Sequence, residues 1–313
     1  MTAAVVLFPG QGSQHPGMCK DVHDAFATAR AVFDEAEESL RLSLRKICFE
    51  LSADELRETR NAQLALLVHG AAMWAVLREH DAAAAVAAAG HSVGEYAAFH
   101  AAGALGLPAV VRLVETRGRA MAGTGDAHPG AMAAFIGPVP VSVEELCSRA
   151  SRDGSVVVPA NFNAPEQVVV SGDVDAVERV MELATLAGVR KVVRLNVSGA
   201  FHSPLMRAAQ SDLLAALEET HFDDPAFPVY TNVAAAPCNA GSEARELLGR
   251  QLVSPVRWLE LIRKVETDFP ETLCLELGPG KVLDGLVKRC APSLRTMPCG
   301  TARDLDTIAK VLA

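Results

Sequence analysis

AAAGHSVGEYAAFHAAGAL, residues 87–105, decides the fold. A run of small apolar residues closes on Gly90-His91-Ser92-Val93-Gly94 and continues as an alanine-rich helical pattern. Glycines on both sides of a serine permit the tight, strained strand-to-helix turn that lifts a hydroxyl clear of a sheet. Amides at the start of the following helix then face any oxyanion formed beside it. The pentapeptide alone also fits a glycine-rich turn with an incidental serine. The strand-like run before it and the helix after it are the context that the nucleophile turn requires.

A serine hydroxyl needs a base, and nine histidines are available. At such a turn His91 projects away from Ser92, so it is placed with the substrate-binding residues and not as the base. His69, His80 and His100 fall in helical segments. His202 stands in NVSGAFHSPLM, after a strand end and a glycine and two residues before a proline that stops further pairing. A hydrolase would add an Asp or Glu between Ser and His. Asp126, Asp153, Asp173 and Asp175 lie there, but in the insert or at helix starts. Either the orienting acceptor is not a carboxylate, or this is not an ordinary α/β-hydrolase.

Outward from this turn the chain reads as α/β. Residues 3–8 form a short buried strand followed by the loop PGQGSQHPG; helical periodicity covers 21–40, 61–79 and 108–121. Alternating strands and helices predict a parallel sheet. Between 125 and 197 the order becomes β-α-β-β-α-β, the split arrangement of a ferredoxin-like unit. The expected division is a discontinuous core of 1–124 and 198–313 around an inserted subdomain of 125–197. A strand follows within 271–280, and helices continue to the end. No internal repeat is visible.

Half of the 313 residues are hydrophobic, a fifth are charged, and the net charge is −9. That balance disfavours nucleic-acid and anionic-membrane binding. The longest small apolar run, Ala82–Ala89, is too short to span a bilayer. The N-terminus has no basic region of a signal peptide. Seven scattered cysteines without a CxxC pair predict neither zinc ribbon nor disulfide framework, and fit small buried hydrophobes in a reducing cytoplasm.

FPGQGSQ (8–14), GHSVGEYAA (90–98), ETRGRAM (115–121), NFNAPEQVVVSG (161–172), GAFHSPLM (199–206), QLVSPVRW (251–258) and LELGPGKVL (275–283) occur in that order. Together they resemble the malonyl-CoA:acyl carrier protein transacylases of fatty acid synthesis and the acyltransferase domains of polyketide synthases, over essentially the whole chain. The resemblance implies an α/β-hydrolase-like core with a parallel sheet and an inserted ferredoxin-like subdomain, in agreement with the pattern above. It implies Ser92 as nucleophile and His202 as base, oriented by the backbone carbonyl of Gln251. Oxyanion amides fall on Gln11 and Val93. Arg117 corresponds to the arginine that takes the acyl carboxylate, a bidentate partner for a planar guanidinium. Without the resemblance, Arg112, Arg117 and Arg119 are not distinguished, although Arg117 and Arg119 cannot share one helix face. Phe201 corresponds to the position that discriminates malonyl from methylmalonyl groups.

The implied reaction uses malonyl-CoA and a holo acyl carrier protein as partners, through a malonyl-serine ester. It needs no metal or cofactor of the protein's own, and phosphopantetheine arrives on the carrier. A monomer in the cytoplasm is expected. A polyketide synthase acyltransferase acting in trans and an acyl-thioester hydrolase are the alternatives. Acidic carriers call for a basic docking patch, with Arg190, Lys191 and Arg194 or Lys281, Lys288 and Arg289 as candidates.

Overall fold

The computed structural model describes residues 2–80, 83–197 and 199–312. Ala82, at the head of the small apolar run, and Ser198, at the expected return to the core, lie outside the described residues. The chain opens with β1 (Ala3–Phe8), then α1 (Lys20–Ala25), α2 (Ala27–Leu40), α3 (Leu44–Phe49), α4 (Ala53–Arg57) and α5 (Thr59–Glu79). Next come β2 (Ala84–Gly90), α6 (Gly94–Ala101) and α7 (Leu107–Ala127). A second group follows: β3 (Gly130–Ile136), α8 (Val143–Ala150), β4 (Val157–Ala164), β5 (Gln167–Asp173), α9 (Val174–Leu186) and β6 (Lys191–Arg194). The chain then runs through α10 (Arg207–Glu218), β7 (Val229–Tyr230), β8 (Pro237–Cys238), α11 (Gly241–Gln251) and α12 (Trp258–Asp268). It ends with β9 (Leu273–Leu277), α13 (Val282–Cys290), β10 (Arg295–Cys299) and α14 (Ala302–Leu312).

The main sheet has the order β10-β9-β1-β2-β7-β8, parallel except at the β7–β8 edge. Its two middle strands, β1 and β2, are apolar throughout because both faces are covered. Val6, Phe8 and Ala88 point into one hydrophobic cluster, and Val5, Leu7, Ala87 and Ala89 into the other. Helices α5 and α6 cover the first face, and α12 and α13 the second. The β1–β2 register ends with Phe8 opposite Gly90, so the loops after both strands leave the sheet side by side. That is the carboxyl end, where α/β sheets bind ligands. The second sheet is antiparallel, β4-β5-β3-β6, with α8 and α9 against one face. A parallel bridge between Asn161 and Val256 ties β4 to the segment before α12.

Three sequence expectations differ from the structure. The helix over 21–40 is broken at Phe26, whose extended backbone (φ −117°, ψ 128°) separates α1 from α2 and sets its ring edge-on to His80. The stretch beyond residue 280 is not all helical, because Arg295–Cys299 pairs with β9. Pro298 hides that strand from a sequence reading, and is tolerated because β10 is a sheet edge. β7 and β8, two residues each, are too short to show periodicity.

The turn after β2 depends on closeness rather than flexibility. A Cβ at Gly94 would lie 2.1 Å from the Phe8 carbonyl oxygen, and one at Gly90 1.9 Å from the Gly94 carbonyl carbon. In α7, by contrast, a Cβ at Gly123 meets nothing within 4 Å. The same substitution therefore has opposite signs at the two sites. In urea unfolding, Gly94→Ala should cost about 3 kcal/mol or more, while Gly123→Ala should gain about 0.5–1 kcal/mol. A Gly94→Ala protein as stable as the parent would show that the turn has room to spare.

Candidate active site

Ser92 adopts φ 51°, a left-handed conformation that costs a residue with a Cβ about 1–3 kcal/mol. The surroundings determine it from both sides. The Ser92 amide donates to Asn232 Oδ1 (2.8 Å), and the Ser92 carbonyl accepts from Gln251 Nε2 (3.0 Å). Asn232 Nδ2 donates to the Gly90 carbonyl at 2.7 Å, closing the turn around one side chain.

His202 is also left-handed (φ 58°) and buried, in the loop between β6 and α10. Its Nε2 lies 2.7 Å from Ser92 Oγ, across 110 residues of sequence. Its Nδ1 lies 3.0 Å from the Gln251 carbonyl and 3.2 Å from the Ser254 carbonyl. Carbonyl oxygens only accept, so Nδ1 carries the proton and Nε2 presents a lone pair to the serine hydroxyl. Burial, then the nearby Arg117 guanidinium, push the imidazole down to about 3, opposed by the hydrogen bonds to the two carbonyls. It is therefore neutral across the physiological range, as a base must be. Asp126, Asp153, Asp173 and Asp175 take no part in this contact.

Arg117 separates from its neighbours clearly. Arg112 and Arg119 are exposed on α7, Arg119 pairing with Glu115, whereas Arg117 is 1% exposed. It sits behind the serine: Nη2 donates to Ser92 Oγ and to Gln251 Oε1, both at 3.1 Å, and Nη1 donates to Gln63 Oε1 at 2.5 Å. No carboxylate lies within ion-pair distance of it among the described residues. Its buried Nε–H has no hydrogen-bond partner among them either. Burial works against the charge, opposed by Tyr96 and the Glu95 carboxylate.

A cleft of about 460 Å³ opens over the serine, lined by Gln11, His91, Met132, Phe201 and His202 among others. The amides of Gln11 and Val93 have no hydrogen-bond partner among the described residues. His91 does not contact Ser92. Its Nε2 lies 2.8 Å from Asn163 Oδ1 on β4, and its ring sits 5.5 Å from that of Trp258. Phe201 is 5% exposed and contributes both to the cleft wall and to the main hydrophobic cluster.

Sequence reasoning missed Glu95, Asn232, Gln63 and Thr59. Glu95, fully buried on the first turn of α6, accepts from the Asn232 amide (3.0 Å) and from Gln251 Nε2 (2.8 Å). Burial raises its carboxyl to about 7, against those two hydrogen bonds and Arg117. Its place three residues after Ser92, inside an apolar helix, was the available signal.

A hydroxyl on a strained turn, a neutral imidazole fixed in the acceptor tautomer and open amides beside them make up a serine acyl-transfer centre. The match to known proteins agrees. Residues 5–298 fit the model described as "Acyl transferase domain". The chain is 38% identical over 312 residues to the malonyl CoA-acyl carrier protein transacylase of Bacillus subtilis, covering 100% of this chain and 98% of that protein. It superposes on the malonyl-CoA:acyl carrier protein transacylase of Xanthomonas oryzae with a TM-score of 0.94 at 37% identity, covering 99% of each chain. A malonyl-transacylase solved with a type II polyketide synthase acyl-carrier protein gives 0.93 at 36% identity, covering 99% of this chain and 100% of that one. The chain belongs to the acyl transferase family.

The depressed basicity of His202 is directly measurable. In an NMR titration its imidazole resonances should stay in the neutral state down to about pH 5. A midpoint near the ordinary value of about 6.5 would contradict the buried, neutral base.

Proposed function

We propose that the protein carries a malonyl group from malonyl-CoA to the phosphopantetheine thiol of an acyl carrier protein, by way of an ester on Ser92. The observation that carries the acyl selectivity is Arg117, a buried guanidinium beside the nucleophile with no carboxylate partner among the described residues. A buried cation gains most from an anion that completes it, and a malonyl group supplies one next to its thioester carbonyl. The transacylase relatives support the same reading and do not favour the hydrolase alternative.

In the first half-reaction His202 Nε2 takes the proton of Ser92 Oγ, which bonds to the thioester carbon. The carbonyl electron pair moves to oxygen, facing the Gln11 and Val93 amides. When it returns, the C–S bond breaks and His202 passes its proton to the departing CoA thiolate. In the second half, His202 deprotonates the carrier's thiol, whose sulfur attacks the ester, and Ser92 leaves reprotonated. Arg117 holds the acyl carboxylate throughout. The Phe201 ring crowds the acyl α-carbon, where an added methyl would cost about 1–3 kcal/mol.

The reading treats 125–197 as an inserted subdomain and 1–124 with 198–313 as the catalytic core, with the cleft bordered by Met132 and Asn161 of the one and Gln11 and Ser92 of the other. It uses no metal or cofactor of the protein's own and requires only a monomer. A cytoplasmic setting fits seven unpaired, buried cysteines; no helix among the described residues is long and apolar enough to cross a membrane. For the acidic carrier, Arg194 and Lys288 are already paired with Glu178 and Asp284. Arg190, Lys191, Lys281 and Arg289 have no ion-pair partner among the described residues, and are the cations left to dock it.

Malonyl-CoA alone should release about one CoA per enzyme and then stall, with turnover resuming only when holo carrier is added. Equal continuous release without carrier would make the protein a hydrolase. Ser92→Ala should give no malonyl adduct by intact mass. Arg117→Ala removes two charge-assisted hydrogen bonds of about 1.5 kcal/mol each, which corresponds to a fall of about 100-fold in the malonyl-over-acetyl preference. An unchanged ratio would remove Arg117 from the binding role.

A further inference from the structure

One buried hydroxyl lies between two parts of the site that the reaction uses separately. Thr59, the first residue of α5, is 3% exposed. Its Oγ1–H donates to Gln11 Oε1 at 3.0 Å, and Oγ1 accepts from Gln63 Nε2 at 3.0 Å. Gln63, one turn along the same helix, turns its Oε1 to Arg117 Nη1 at 2.5 Å. Its Nε2 also lies 3.2 Å from Met121 Sδ. Helix α7 can supply Arg117 here because it approaches α5 closely: a Cβ on Gly118 would sit 3.0 Å from the Arg60 Cα.

The sense of this chain is fixed. A threonine hydroxyl has one proton and two lone pairs. With the proton given to Gln11, the lone pairs face Gln63, whose amide must present its NH2 to Thr59. Its oxygen is thereby left for the guanidinium. Hydrogen bonds in such a series polarise one another. Gln11 stands in the loop after β1 and lines the cleft with Ser92, whereas Arg117 meets Ser92 Oγ from outside that lining.

We infer that Thr59 is a positioning residue for the acyl transfer: its hydroxyl holds the oxyanion loop and the carboxylate-binding arginine in register with each other across Ser92. The inference rests on the role proposed above for Arg117. Two consequences separate it from simple packing. An acetyl group uses only the Gln11 side of the relay, whereas a malonyl group uses both sides. Loss of the hydroxyl must therefore harm malonyl transfer more than acetyl transfer.

The test is Thr59→Val, which replaces the hydroxyl by a methyl on the same branched frame, with Thr59→Ala as a second variant should the valine not be accommodated. Rates of Ser92 acylation from malonyl-CoA and acetyl-CoA are measured per acylable site, so that any unfolded fraction cancels. Either variant should lower malonyl kcat/KM by about 10-fold relative to the parent, with a fall in the malonyl-over-acetyl ratio of about 5-fold. Thr59→Ser, which keeps the hydroxyl, should restore the ratio. Equal losses for the two acyl groups, no loss at all, or failure of the serine to restore the ratio would overturn the inference. If the parent itself formed no malonyl ester, or took acetyl as readily as malonyl, the failure would lie with the proposed function and not with Thr59.

Discussion

A guanidinium buried to 1% exposure without an ion-pair partner among the described residues is the constraint around which this site is arranged. An arginine is normally taken out of water only with a carboxylate to receive it. Here its near partners are the neutral oxygens of Gln63, Gln251 and Ser92. The nearest linked acid, Glu95, whose carboxyl burial raises to about 7, stands one amide away, joined through Gln251 Nε2. A direct ion pair would occupy the donors that the proposed reaction assigns to the acyl carboxylate. An amide spacer lets the ionised form of Glu95 favour the guanidinium while those donors are held only by neutral partners.

The same residues stabilise the strained backbone. Ser92 and His202 both have positive φ, and each costs about 1–3 kcal/mol unless its neighbours fix it. Asn232 Oδ1 accepts from the Ser92 amide, Gln251 Nε2 donates to the Ser92 carbonyl, and the Gln251 carbonyl accepts a hydrogen bond from His202 Nδ1. Glu95 accepts from both Asn232 and Gln251. One buried carboxyl group thus anchors the two residues that hold Ser92, His202 and Arg117. α6, α11 and the loop after β7 meet at this point because β2 and β7 are parallel and end on the same side of the sheet.

How much of this could be read from sequence differs by kind of residue. The turn at 90–94 was legible because close packing demands glycine on both sides of the serine, and glycine is visible. The order of strands and helices was legible where elements were long, and failed at the two-residue β7 and β8 and at the proline-bearing edge β10. Arg117 could not be told from Arg112 and Arg119 by spacing, since burial rather than position separates them. Asn232, Gln63 and Thr59 were illegible for a different reason. A neutral amide or hydroxyl leaves no mark in composition or charge, and its importance lies in the direction of its hydrogen bonds.

The same constraint explains why no aspartate completes a triad. A carboxylate at His202 Nδ1 would orient the imidazole and raise its basicity, but it would also add a net negative charge to a buried site in which the Arg117 charge already acts on His202. In the proposed reaction that charge would compete with the acyl carboxylate for the guanidinium. Carbonyl oxygens from Gln251 and Ser254 set the tautomer equally well without a net charge. Burial and the Arg117 guanidinium hold the imidazole far below its ordinary basicity, against the hydrogen bonds to those two carbonyls. A thioester, whose thiolate departs readily, needs less from its base than an amide does. An uncharged orienter for His202 and an unpaired Arg117 are therefore two aspects of a single electrostatic requirement.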